Sequence, residues 1–227
     1  MTIDLGKLNA TTYNADTNIA RVGTGARWGE VFAVLEDDGV MVAGGREGVV
    51  GVGGLLLGGG ISWYASREGY SCDNVVNFEV VLANGTVINA NESCHKDLWR
   101  ALKGGSGNFG IVTRFDLETF PASNLTIEDR PIAVEHEDEF VNALIEFVDL
   151  DQSFDANALI TMVNYSPKSE VPGGLSFLVT EVNTKNDWNT TAYDGFNRIP
   201  TLMPSEKKSM TAVEAAYRSG TMREPTL

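Results

Sequence analysis

Apolar positions in this chain change their period several times, and each change marks an element. Trp28, Val31, Phe32 and Leu35 recur at the spacing of one helix face, and Gly39 stands where a cap belongs. A short amphipathic helix is therefore predicted over Trp28–Gly39, with its aromatic stripe in the core rather than against a cofactor. Before it, Ile3–Leu5 and Ile19–Val22 read as strands around a polar turn region, Asn9–Asn18. Val75–Ala83 and Thr86–Asn89 flank Asn84-Gly85, the strongest short hairpin signal. Lys96–Lys103 reads as a helix ended by Gly104-Gly105, and Ile111–Phe120 as a strand stopped by Pro121. Further on, Glu137–Leu150 is a predicted helix with Phe140, Leu144, Phe147 and Val148 on its apolar side. Leu159–Tyr165 and Leu175–Val182 follow as two strands separated by a Pro/Gly loop. From Asn183 the chain turns polar and irregular, with a last predicted helix over Ser205–Arg218.

Composition shifts at Pro121: glycine thins out and acidic residues rise. A domain boundary is expected there, giving domains 1–121 and 122–227. The first is dominated by one stretch. Ten of the chain's 24 glycines lie between Gly44 and Gly69, eight of them within Gly45–Gly60. Each glycine gives up more backbone entropy on folding than any other residue, so such density needs a return. That return is positive φ and bare backbone that a ligand approaches closely, and such turns make concave nests for anions. A flexible linker would be polar, whereas this stretch interleaves Val49, Val50, Val52, Leu55, Leu56, Leu57 and Ile61. These apolar residues are expected to be buried and the loop ordered. A ligand-cradling loop is favoured over a purely structural turn.

The 227 residues suffice for one large or two small domains, and 43% hydrophobic with 21% charged residues is ordinary for a globular chain. A net charge of −14, from 31 acidic and 17 basic residues, argues against nucleic acid and anionic membrane surfaces as partners. The longest apolar stretch, Val49–Ile61, is too short and too glycine-rich to cross a membrane. No signal peptide is read in the first residues. Sequons at Asn9, Asn84, Asn91, Asn124 and Asn189 lean toward a secretory ancestry and a glycoprotein, while the compartment stays open. Cys72 and Cys94 are able to pair or to stay free. His95 and His136 lie too far apart in sequence to suggest a metal cluster.

Gly105-Ser-Gly107-Asn-Phe-Gly110 fits the dinucleotide pattern G-x-G-x-x-G by letter. That pattern needs a strand before it and a helix after it. Here the predicted helix comes first and the strand second, so the nicotinamide-binding reading fails on context. What survives is a second glycine-rich turn whose backbone is placed to line the same ligand as the first.

Four segments taken together, Val50–Gly60, Ser66–Val75, Glu79–Val87 and Asp97–Phe115, resemble the FAD-binding domain of the PCMH type. The similarity is greatest to the berberine-bridge-enzyme-like, oxygen-dependent FAD-linked oxidoreductases of fungi. It covers nearly all of residues 1–121 and continues more weakly through Phe196–Pro200. The resemblance implies an α+β fold: the second subdomain of a PCMH-type FAD-binding domain, followed by part of an α+β substrate domain. It implies that Val50, Gly51, Gly53, Gly54, Gly58, Gly60 and Ile61 hold the flavin pyrophosphate and approach the isoalloxazine. Gly110, Ile111 and Val112 would line the adenine and ribose end. In the family a first subdomain, with the histidine that tethers the flavin, precedes the residues that Met1–Leu5 resemble. Late substrate-domain strands follow beyond residue 227, so a partial chain is expected. Glu47 stands near the place of a second, cysteine tether. No catalytic base is transferred onto any residue.

The leading expectation is an FAD-dependent oxidoreductase with FAD as cofactor. It would oxidise a small alcohol, amine or sugar-like substrate by hydride transfer to flavin, with dioxygen as reoxidant. The competing expectation is a truncated, non-catalytic flavoprotein remnant acting as a binding module. A glycine-rich structural protein is the third and least favoured, because the glycines are confined to two packed turns.

Overall fold

The computed structural model describes residues 2–167 and 172–218. Two compact units are present: the chain up to Ala122 joined by the segment that begins at Ala212, and Ser123–Thr211. Each mixes helices with an antiparallel sheet, so the fold class is α+β.

In the first unit, β1 (Thr11–Asn14) and β2 (Ile19–Gly23) form a hairpin, followed by α1 (Trp28–Asp37) and the short β3 (Val40–Met41). Then come α2 (Val52–Leu57), α3 (Ala65–Glu68), β4 (Val75–Val81), β5 (Val87–Asn91), α4 (Lys96–Leu102), β6 (Ile111–Glu118) and β7 (Phe120–Pro121). The main sheet runs β1-β2-β6-β4-β5. Its core face carries Val22, Phe78, Val80, Ala90, Phe115 and Leu117, all fully buried, with Phe78 and Phe115 edge to face at 5.6 Å. The expected helix face is the observed one: Trp28, Val31, Phe32 and Leu35 of α1 are buried. Gly39 follows at φ +69.

Two expectations differ in this unit. Ile3–Leu5 is not a strand, and the strand lies instead at Thr11–Asn14, inside the region read as a turn. The polar side chains misled. Asn14 Oδ1 accepts from the N–H groups of Asp16 and Thr17, so the turn residues close a hairpin whose strand is itself polar. At the β4–β5 hairpin only Gly85 takes positive φ (+84), so the turn is not the mirror-image turn that Asn-Gly favours.

The second unit holds β8 (Leu125–Ala133), α5 (Glu137–Val148), β9 (Asn157–Tyr165), β10 (Leu175–Asn183), α6 (Asp194–Asn197) and β11 (Lys208–Met210). The antiparallel sheet order is β11-β8-β10-β9. Phe140 of α5 stacks on Phe177 at 4.3 Å and meets Phe196 edge to face at 5.9 Å, with Ile132, Val179 and Ile199 completing the cluster. Val148, expected on the apolar side of α5, is 71% exposed. After β11, α7 (Ala212–Tyr217) packs on α1 in the first unit, so the helix expected over Ser205–Arg218 is a strand followed by a shorter helix.

Strand β8 was not anticipated, because Glu128, Arg130 and Pro131 break its apolar alternation. Those charges face inward. Glu128 and Arg130 are paired at 2.9 Å, and Arg130 also donates to the carbonyls of Phe196 and Ile199. Pro131 lies past the end of β11, which pairs only with Leu125–Ile127, and a strand tolerates proline there.

Glu181 of β10 sits opposite Glu128 and is only 2% exposed. Neither of its carboxylate oxygens accepts a hydrogen bond among the described residues, and Arg130 Nε stands 3.6 Å from Oε1. Burial pushes its pKa up to about 8; Arg130 and, more weakly, Lys207 oppose the shift, while Glu128 adds to it. A glutamate in the unfolded chain releases its proton near about 4.3, so between there and about 8 the folded protein holds a proton that the unfolded chain has lost. The stabilising contribution is full below the unfolded value and is lost as pH rises through about 8. Its slope is at most about 1.4 kcal/mol per pH unit. Glu181→Gln is expected to flatten that slope, read from urea unfolding at about pH 5 and about pH 8. An equal slope in both proteins would refute the assignment.

Candidate functional site

The glycine stretch is zipped along one side to the segment that leads into α1. Gly29 donates to Gly48 O (2.9 Å), Trp28 to Val50 O (3.1 Å), Val52 to Ala26 O (2.9 Å) and Gly53 to Thr24 O (3.3 Å). The Arg27 guanidinium donates to the Val49 carbonyl, and Arg27 and Gly51 form an antiparallel bridge. These bonds hold Gly48–Gly53 as an ordered rail that runs into α2 at Val52.

The glycines along the rail serve two different purposes. Several are required by the protein's own packing. A Cβ at Gly44 or Gly45 would lie within 2.5 Å of the Trp28 ring, one at Gly48 within 2.7 Å of Tyr217, and one at Gly53 within 2.4 Å of Thr24 Oγ1. Gly60 has φ +80, and a Cβ there would strike Leu55 at 2.3 Å. Gly51, Gly54 and Gly59 are different, because a Cβ added at any of them meets no atom within 4 Å. A Cβ at Gly58 would meet the Gly54 carbonyl at 3.2 Å and the Leu55 carbonyl at 3.7 Å. Gly51, Gly54 and Gly58 are exposed. The bare backbone at Gly51 and Gly54 is therefore not explained from within the chain. Gly59, at φ +100, needs glycine for its conformation in any case.

Beyond the rail, Gly59 and Gly60 accept through their carbonyls from Cys72 N–H and Ser71 N–H, both at 2.9 Å. Beside this pairing lies an open cavity of about 360 Å³ lined by Ile61, Ala65, Ser66, Gly69 and Tyr70. Val50 is 36% exposed and Ile61 52% exposed, which corrects the expectation that all the apolar residues of the stretch are buried. Val52 and Leu56 are buried, and they anchor α2. A turn that shows bare peptide and apolar side chains together suits a ligand with both an anionic linker and a planar apolar part.

The second glycine turn lies beside the first. The Ser106–Asn108 turn packs against α2, and Thr24, which receives the Gly53 N–H, donates its own N–H to Thr113 O at 3.1 Å. The context that ruled out a nicotinamide-binding unit is observed: α4 precedes this turn and β6 follows it. Gly110 has φ +151, and a Cβ there would meet Val80 at 2.7 Å and the Val81 carbonyl at 2.9 Å, so close strand packing already explains it. Val112 is 3% exposed, its side chain in the core, which leaves only its backbone to a ligand, while Ile111 is half-buried.

Sequence reasoning missed Arg27 and Thr24, which set the rail, and Tyr70, which borders the cavity. The single sequence held no signal for the first two, because their role comes from backbone pairing over more than 20 residues of separation. Local positive charge is also present despite the net −14. Arg46 stands over the Trp63 ring at 5.5 Å, its pKa lowered by burial and partly restored by Glu47. Arg67 lies over Tyr64 at 5.4 Å, and burial pushes the Tyr64 phenol up to about 12, so it stays neutral.

Residues 1–91 match the family described as "FAD binding domain". Over these residues the chain is similar to FAD binding domains, and that similarity supports FAD as the cofactor. Over 125 residues the chain is 50% identical to the FAD-dependent monooxygenase drtC of Aspergillus calidoustus, an alignment covering 55% of this chain and 24% of that protein. It is 51% identical over 120 residues to the FAD-dependent monooxygenase tpcD of Cochliobolus heterostrophus, covering 53% of this chain and 23% of that protein. The chain thus matches about a quarter of the length of these curated relatives. Among solved structures, the xylooligosaccharide oxidase of Myceliophthora thermophila in complex with xylobiose superposes with a TM-score of 0.81 at 25% identity, covering 98% of this chain and 46% of that one. The berberine-bridge-enzyme-like protein 1 of Physcomitrella patens superposes at 0.79 with 23% identity, covering 94% and 46%, and shows the shared fold.

FAD is the cofactor of this domain class, and the residues present fit it. The glycines left unexplained by packing stand on a rail beside an apolar-edged cavity. Gly54 has no positive φ and open space around it, so Gly54→Ala is expected to leave stability unchanged or raise it by about 0.5–1 kcal/mol while weakening flavin uptake. Gly53→Ala drives a methyl into Thr24 and is expected to cost about 1–3 kcal/mol. Thermal melts of the two variants beside a flavin titration check this; equal destabilisation by both would contradict the division of the glycines.

Proposed function

We propose that this chain serves in an FAD-linked oxidoreductase that oxidises a small organic substrate, at an alcohol, amine or sugar-like carbon, with dioxygen as the final electron acceptor. The observation that carries the reading is the bare backbone at Gly51 and Gly54 inside the segment that matches the FAD binding domain family. The relatives named above are FAD-dependent monooxygenases, and a structural neighbour oxidises xylooligosaccharides, which supports a flavin enzyme that consumes oxygen.

In this reading the backbone of Val50, Gly51, Gly53, Gly54, Gly58 and Gly60, with Ile61, holds the pyrophosphate and the isoalloxazine edge. Gly110, Ile111 and Val112 contribute backbone at the adenine and ribose end. FAD, when bound, supplies the two-electron acceptor. The protein's part is to fix the ring against the rail, keep side chains out of its approach, and exclude water with Val50 and Ile61. The substrate carbon gives up a hydride and its heteroatom a proton, and dioxygen takes two electrons and two protons to become hydrogen peroxide. Residues 1–121 act as the FAD-binding part and 122–227 as part of the substrate-binding domain. Glu47 places no thiol at the position where some family members tether the flavin, so no cysteine tether forms there.

An absorption spectrum of the purified protein before and after added FAD, then after acid, is the direct test. The expected result is flavin bands approaching one per chain, released by acid, with peroxide formed on substrate addition under oxygen. A protein that takes up flavin yet shows no turnover would favour a binding module. One that takes up none would sink the proposal.

A further inference from the structure

The chain's sequons are not equivalent once folded. Asn91 is closed by its own bonds: its Nδ2 donates to Asn77 Oδ1 at 3.1 Å, and its Oδ1 accepts the N–H groups of Ser93 (3.0 Å) and Cys94 (2.8 Å). Asn124 Nδ2 donates to Ser209 Oγ at 3.3 Å. Asn84 is the opposite case. It stands at the tip of the β4–β5 hairpin, where Ala83 through Val87 are all exposed. Its Oδ1 accepts the Thr86 N–H at 3.0 Å, and among the described residues its Nδ2 donates to nothing. Asn9, Asn164 and Asn189 are exposed too, but Asn9 and Asn189 do not stand at a hairpin tip, and Asn164-Tyr165-Ser166 is followed at once by Pro167.

We propose that Asn84 carries an N-linked glycan and that Asn91, seven residues on, does not. The Asn84–Thr86 bond folds the sequon into a tight turn, which holds the carboxamide by its oxygen and leaves its nitrogen to solvent. The chemistry is a group transfer. Asn84 Nδ2 bonds to C1 of an oligosaccharide carried on a lipid pyrophosphate, the C1–O bond to the pyrophosphate breaks, the lipid pyrophosphate leaves, and the nitrogen loses one proton. The position also has a physical use. β5 is an edge of the main sheet, Val87–Asn91 has no charged residue or proline, and Val87 is 59% exposed. Exposed, uncharged edges invite strand addition, and a hydrophilic chain at the adjoining tip hinders it.

The test is the full chain purified from a fungal secretory host, treated with peptide N-glycosidase in heavy-oxygen water and sequenced by tandem mass spectrometry. The expected result is labelled aspartate at position 84 and unlabelled asparagine at position 91. Asn84→Gln and Thr86→Ala should each remove one glycan's mobility shift, while Thr86→Ser and Asn91→Gln keep it. Positions 84 and 86 are exposed at the tip and their variants leave the fold intact, while Asn91→Gln also removes the bonds of Asn91, so a thermal melt of each variant accompanies the shift. Unlabelled Asn84 in the secreted protein, label at position 91, or a shift lost in Asn91→Gln would each overturn the proposal.

Discussion

Backbone-to-backbone pairing between Thr24–Gly29 and Gly48–Gly53 is the constraint on which the first unit depends. It consumes one side of the glycine segment in hydrogen bonds and leaves the other side to whatever approaches it. Side chains would spoil both sides for different reasons. On the inner side Gly44, Gly45, Gly48 and Gly53 let Trp28, Tyr217 and Thr24 come within contact distance of the chain. On the outer side a Cβ at Gly51 or Gly54 would meet no atom of the protein within 4 Å, so packing does not call for glycine there. The same α1 that Trp28 begins is also the platform for α7, whose Tyr217 lies against Gly29 and Gly48. Loop, helix and returning C-terminal segment are thus one packing problem with one solution.

The second unit solves a different problem on a single sheet face. At one end Phe177 and Val179 meet Phe140 and Phe196 in an apolar cluster; at the other, Glu181, Glu128 and Arg130 continue the same face with charge. Arg130 joins the two by donating to the carbonyls at Phe196 and Ile199, so the segment after α6 is held by a cation rather than by apolar contact. A buried ion pair of this kind contributes little net stability against an apolar alternative, and much of its effect lies in the penalty for breaking it. Tyr193, stacked on Phe147 at 5.6 Å and bonded through its hydroxyl to the Val182 and Ala158 carbonyls, fastens the same region from the other side.

Period and punctuation alone determined much of this protein. The α1 face, the β4–β5 hairpin, α4, β6, α5 and the strand pair β9–β10 follow from local spacing and from glycine, asparagine and proline at the ends. Local rules suffice where burial alternates simply. The same logic read the glycine stretch as an ordered element, which it is apart from the exposed Val50 and Ile61, and four ordered motifs carried a resemblance to FAD-binding domains that residues 1–91 bear out. Tertiary structure alone decided the rest. It placed the first strand at the polar Thr11–Asn14, paired through backbone groups that side-chain polarity does not report. It made β8 a strand because Glu128 and Arg130 satisfy each other inside, a pairing visible only once β10 and the segment after α6 are in place. It also separated glycines required by packing from glycines left bare. That distinction lies in what stands across from each Cα, and the sequence writes the same letter for both.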